Sequence, residues 1–110
     1  MSCGTRIAVV PAGERWPDDH TLRPALEDLL GAGAIIQSLK GTRSPEAKTA
    51  VAAYEAHAAD LMDTLRCCVS GAELIAMGFE DDIPLTGDVD ADDAAPVLSS
   101  GAYVRWGKRT

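Results

Sequence analysis

Three carboxylates, Glu14, Glu27 and Asp28, are candidates for chemistry. Glu14 follows a glycine just beyond a run of β-branched residues. A strand end of this kind is where the site residues of α/β folds collect. Glu27 and Asp28 are adjacent. On a helix they point about 100° apart, so they cannot both face one ligand directly. Taken alone, that pair reads as a solvated helix face. Ser70-Gly71 opens a short helical pattern. The free N–H groups of such a terminus can hold an anion, or Ser70 can simply cap it. Arg15 and Arg23 are the basic residues nearest these positions. Surface exposure is the plain reading of each, and for Arg23 the preferred one. His20, in a loop, could shuttle a proton, with capping or exposure as the simpler role. His57 sits on a helical run and reads as a boundary residue.

Other groupings carry less. Glu80-Asp81-Asp82 with Asp88, Asp90, Asp92 and Asp93 lacks the glycine and final glutamate of a calcium-binding EF-hand loop, so it reads as solvated acidic surface. Cys3, Cys67 and Cys68 form neither a disulfide framework nor a zinc spacing. They read as reduced, buried thiols of a cytoplasmic protein. Trp16 and Trp106 suit an interface, where aromatics anchor contacts.

The elements that must position these residues follow from local pattern. Arg6–Val10 reads RIAVV and ends at Pro11, which predicts a buried strand. A long loop then runs to His20. Thr21 can cap a helix within 22–40, with Pro24 in its first turn and Gly31 and Gly33 as a close-packing device or a break. Ser44-Pro45-Glu46 is a strong helix start. Apolar residues from Ala47 to Leu65 recur at helical spacing and predict one helix over 45–66. Ser70-Gly71-Ala72-Glu73 matches a capping box, and Gly78 is placed to end the helix it opens. From Phe79 the chain turns acidic; Pro84 and Gly87 argue against a long regular helix. Val97-Leu98 predicts a final strand or apolar contact.

Composition bounds what remains. One hundred and ten residues suit one domain, and 5% aromatic content leaves a core that is aliphatic and alanine-rich. Ten basic against 17 acidic residues give a net charge of −7, which argues against a nucleic-acid partner. No window approaches the roughly 18 apolar residues of a membrane span, and no leader pattern opens the chain.

Several blocks resemble one family. Val10-Pro11-Ala12-Gly13-Glu14-Arg15-Trp16 and Leu22 to Ala34, LRPALEDLLGAGA, are similar to the PAGE and EDLLGAGA blocks of the 2-phosphosulfolactate phosphatases. So are Ser44-Pro45-Glu46-Ala47, Ser70-Gly71-Ala72-Glu73-Leu74-Ile75, Gly78-Phe79-Glu80-Asp81-Asp82 and Pro96-Val97-Leu98, in matching order. The resemblance implies an α/β fold, this chain being the C-terminal half of a two-half α/β phosphatase fold, a strand followed by helices. It implies a magnesium-dependent phosphatase that removes phosphate from 2-phospho-3-sulfolactate, a step of coenzyme M synthesis. Glu14, Glu27 and Asp28 are then the expected catalytic acids, Glu14 also a Mg2+ ligand, and Arg15, Ser70 and Gly71 the contacts to a small anionic phosphorylated substrate. A half of this kind is expected to self-associate or to bind the missing N-terminal half. Ala72 departs from the arginine usual after Ser-Gly, and Pro84 and Gly87 depart from a helix-friendly stretch. The alternative expectation is a non-catalytic half-domain that binds a partner chain.

Overall fold

The computed structural model describes residues 6–107 of the chain. Cys3, Lys108 and Arg109 lie outside them. The fold is mixed α/β, as expected, but its strands are not where β-branched content places them. Arg6–Val10 is extended and unpaired among the described residues, and Val10 is 81% exposed. A β-branched run becomes a strand only where a neighbouring edge accepts its backbone groups.

The first sheet is a short hairpin instead. β1 (Glu14–Arg15) pairs antiparallel with β2 (Leu22–Arg23), Glu14 opposite Arg23. Thr21 therefore caps no helix. Pro24 disfavours helical backbone at the residue before it, which keeps Arg23 extended and delays the helix. α1 runs over Leu26–Ser38, unbroken by Gly31 or Gly33. Gly33 is the close-packing residue: a Cβ there would collide with the Ala50 carbonyl oxygen.

α2 (Pro45–His57) starts as its sequence requires, with Ser44 Oγ accepting from the Ala47 N–H at 3.1 Å and Pro45 at its first position. The single helix predicted over 45–66 is divided. A 3-10 turn at Ala58–Asp60 separates α2 from α3 (Leu61–Cys67). The break turns α3 so that its backbone meets Gly71 and its Met62 and Leu65 side chains meet Gly87. Those are contacts a straight continuation of α2 does not supply.

α4 (Val69–Ala76) is capped by Cys68, not by Ser70. The Cys68 thiol accepts from the Gly71 N–H at 3.4 Å and donates to the Leu65 carbonyl at 3.1 Å. The helix ends at Gly78 as predicted. Gly78 has φ 83°, and the N–H groups of Phe79 and Gly78 donate to the carbonyls of Leu74 and Ile75. This crossed pair is the glycine-dependent closure of a helix C-terminus. The acidic stretch contains one short helix, α5 (Asp82–Gly87). Pro84 is tolerated in its first turn, where N–H groups lack partners anyway. β3 (Ala94–Ser99) and β4 (Ala102–Gly107) form a separate antiparallel hairpin that includes the predicted strand at Val97-Leu98.

The core is aliphatic and alanine-rich: Ala25, Leu30, Ala32, Ala50, Val51, Leu65 and Ile83 are buried. No helix among the described residues is long and apolar enough to cross a membrane.

Candidate functional site

Arg23 is the organising residue, and it is not on the surface. Only 5% of it is exposed. Its Nη2 donates to Ser70 Oγ at 3.2 Å and to Glu73 Oε2 at 3.1 Å, and its guanidinium lies 5.3 Å from the centre of the Trp16 ring. A buried guanidinium needs acceptors, and here α4 supplies them. Glu73 consequently turns to Arg23 instead of reaching back to close a capping box. Arg23 Nε is buried without a partner.

The hairpin that carries Arg23 is anchored at its root. Gly13 has φ 81°, and a Cβ there would come within 2.8 Å of the Arg23 carbonyl oxygen, so only glycine fits. The Gly13 N–H donates to Asp28 Oδ2 at 2.7 Å. Asp28 thus joins the hairpin to the first turn of α1. The tip is tied by Asp19, whose Oδ1 accepts from both the N–H and the hydroxyl of Thr21. These bonds, the backbone one foremost, hold the Asp19 carboxyl below its ordinary pKa.

The expected site residues therefore divide. Ser70 meets Arg23, and Glu14 stands opposite Arg23 in the ladder with its side chain in solvent. Glu27 is half-buried on the first turn of α1, with Oε2 buried and unpartnered. Asp28 is engaged by Gly13. Gly71 is buried against the Leu65 carbonyl, and its N–H is taken by Cys68. Arg15 turns back on its own loop, donating from Nη1 to the His20 carbonyl at 2.8 Å. His20 is exposed with φ 59°, and His57 Nδ1 lies 3.2 Å from Thr64 Oγ1, far in sequence from these groups. Ala72 faces solvent.

Sequence reasoning missed Arg23 and Glu73. One signal bore on the backbone of Arg23: it precedes proline, which disfavours a helical turn there, but no local signal marked its acceptors.

No group of three or more His, Cys, Asp or Glu side chains among the described residues is placed to hold a metal ion. The donors nonetheless suit magnesium in kind. Mg2+ is commonly held by one or two carboxylates together with waters and substrate phosphate, and Glu27 Oε2 is buried without a partner. A groove of about 690 Å3 lies elsewhere, between residues 7–11 and the α1–α2 pair, and is lined by none of the expected site residues.

These features define a mixed α/β protein whose polar residues gather where a hairpin, the start of α1 and the start of α4 meet. The chain belongs to the 2-phosphosulpholactate phosphatase family, whose sequence model matches residues 2–101. A probable 2-phosphosulfolactate phosphatase of Gloeobacter violaceus (strain ATCC 29082 / PCC 7421) is 33% identical over 84 residues, which make up 76% of this chain and 34% of that protein. The chain thus matches about a third of the length of this curated relative. No solved structure matches the chain.

Proposed function

We propose that this chain contributes to a magnesium-dependent phosphatase that hydrolyses a small phosphorylated anion of the 2-phosphosulfolactate type. The family match over residues 2–101 carries this reading. The polar cluster around Arg23 is the location that this reading favours. Phosphate monoester hydrolysis needs charge neutralisation on the phosphoryl oxygens and a positioned nucleophile. Arg23 orients the Ser70 hydroxyl at the start of α4, and Trp16 lies against the same guanidinium. Glu27 and Glu14 are the carboxylates that would hold Mg2+, and the ion when bound supplies positive charge to the phosphoryl group. Asp28 acts through Gly13, keeping the hairpin in place.

A second reading is a half-domain that needs a partner chain. Its support is the exposed apolar surface, which includes Ile7, Val10, Leu85, Leu98 and Tyr103. The radius of gyration, 15.6 Å, also exceeds the roughly 13 Å of a compact chain of similar size.

One experiment addresses both readings. Phosphate release from phosphosulfolactate is measured with Mg2+, before and after EDTA, for the chain alone and for the chain co-expressed with the part of the Gloeobacter violaceus relative that it does not match. The expected result is little turnover alone and EDTA-sensitive turnover in combination. Glu27→Gln and Glu14→Gln should each weaken Mg2+ binding by about tenfold in a calorimetric titration of the active form. Equal affinities remove that carboxylate from the site, and absence of turnover in the combination overturns the phosphatase reading.

A further inference from the structure

The β3–β4 hairpin is a sheet by itself. A lone two-stranded hairpin is marginally stable in water, and this one carries apolar side chains on both faces. Val97, Val104 and Trp106 share one face, and Leu98 and Tyr103 the other. Tyr103 is 74% exposed, and Leu98, Val104 and Trp106 are exposed as well.

The turn decides which backbone groups point outward. Ser100 and Gly101 both have positive φ, 50° and 81°, the conformation of a two-residue type I′ loop. The flanking pair Ser99–Ala102 is then hydrogen-bonded. Alternation along the ladder makes Val97–Val104 and Ala95–Trp106 bonded pairs as well. The N–H and C=O groups of Ala94, Pro96 and Leu98 on β3, and of Tyr103, Arg105 and Gly107 on β4, face away from the hairpin. Pro96 therefore removes none of the hairpin's own bonds, but it interrupts the outer edge of β3. The outer edge of β4 has no such gap. Tyr103, Arg105 and Gly107 each offer a donor and an acceptor, unpaired among the described residues.

We propose that β4 pairs with β4 of a second copy of this chain, across a two-fold axis at Val104, to give a four-stranded antiparallel sheet. The edge is self-complementary in this register. Val104 meets Val104 of the second copy, and Trp106 lies opposite the small Ala102. Tyr103 lies opposite Arg105, which joins an aromatic ring to a guanidinium. The register shifted to centre on Arg105 loses the Tyr103–Arg105 contact and brings together two guanidinium groups, each paired with Asp93 of its own chain. A two-fold contact of this kind closes on itself. It also covers the one long sheet edge among the described residues that lacks a proline break, and open edges of that kind invite pairing. The proposal does not depend on the phosphatase reading.

Sedimentation velocity of the chain at micromolar concentration tests it. The wild type should be a dimer. Arg105→Pro mirrors Pro96 across the ladder: it removes an outward N–H and the exposed Arg105–Asp93 ion pair but leaves the hairpin's backbone bonds intact, so it should give a monomer with unchanged far-UV circular dichroism. Val104→Lys keeps the whole backbone edge but sets two charges at the axis, and it should weaken association at least tenfold. In a mixed sample of labelled and unlabelled wild-type chains, intermolecular NOEs should join Tyr103 to Arg105. A monomeric wild type overturns the proposal. So does a dimer that survives both variants or that shows NOEs through other residues.

Discussion

The backbone N–H of Gly13 donates to Asp28 Oδ2 at 2.7 Å, joining two residues 15 apart in the chain. Because Gly13 roots the hairpin that carries Arg23, this one bond sets where the arginine enters the protein. Asp28→Ala leaves a part-buried N–H without its charged acceptor, and hydrogen bonds to charged groups contribute about 1.5–3 kcal/mol. Urea unfolding should show a loss in that range. Asp28→Asn, which can still accept, should lose less.

Arg23→Met should destabilise the chain by about 1–3 kcal/mol. Its Glu73 partner has 42% of its side chain exposed, so water can solvate the carboxylate left behind. That keeps the loss below the cost of stranding a fully buried charge. Arg23→Lys should not restore stability, because a single ammonium cannot lie flat against Trp16 while bonding both Ser70 and Glu73. Thermal or urea denaturation of the two variants checks this.

Gly31 and Gly33 should respond oppositely to the same change. A Cβ at Gly31 meets nothing within 4 Å, so Gly31→Ala should stabilise α1 by about 0.5–1 kcal/mol. A Cβ at Gly33 collides with the Ala50 carbonyl and crowds Tyr54. Gly33→Ala should cost about 1–3 kcal/mol by overpacking. Paired denaturation curves give the sign of each.

The Trp16–Thr21 turn should loosen in acid. The bonds from Thr21 lower the pKa of Asp19 in the folded chain. Their contribution is therefore present above the ordinary carboxylate pKa and is lost as pH falls through the lowered folded value. Asp19 is fully exposed, so the effect is local. Carbon-detected NMR titration should give Asp19 a midpoint below that of a free aspartate. Thr21→Val, which keeps the N–H and removes the hydroxyl, should move it only part of the way back.

What the sequence determined by itself is what a few neighbouring residues decide. Ser44-Pro45 starts α2 and Gly78 ends α4, because each signal acts within one helical turn. Low aromatic content required an aliphatic, alanine-rich core. The PAGE and EDLLGAGA blocks carried the family. Tertiary structure decided the rest. Arg6–Val10 has strand composition but no edge to join, and composition cannot supply one. Val69–Ala76 is capped by Cys68 because α3 delivers the Leu65 carbonyl to that thiol, which frees Ser70 to meet Arg23. Arg23 is inside because its acceptors come from residues 47 and 50 positions further along the chain. An arginine beside a proline looks the same in sequence whether or not such acceptors arrive, and only the packing of the β1–β2 hairpin against α4 brings them.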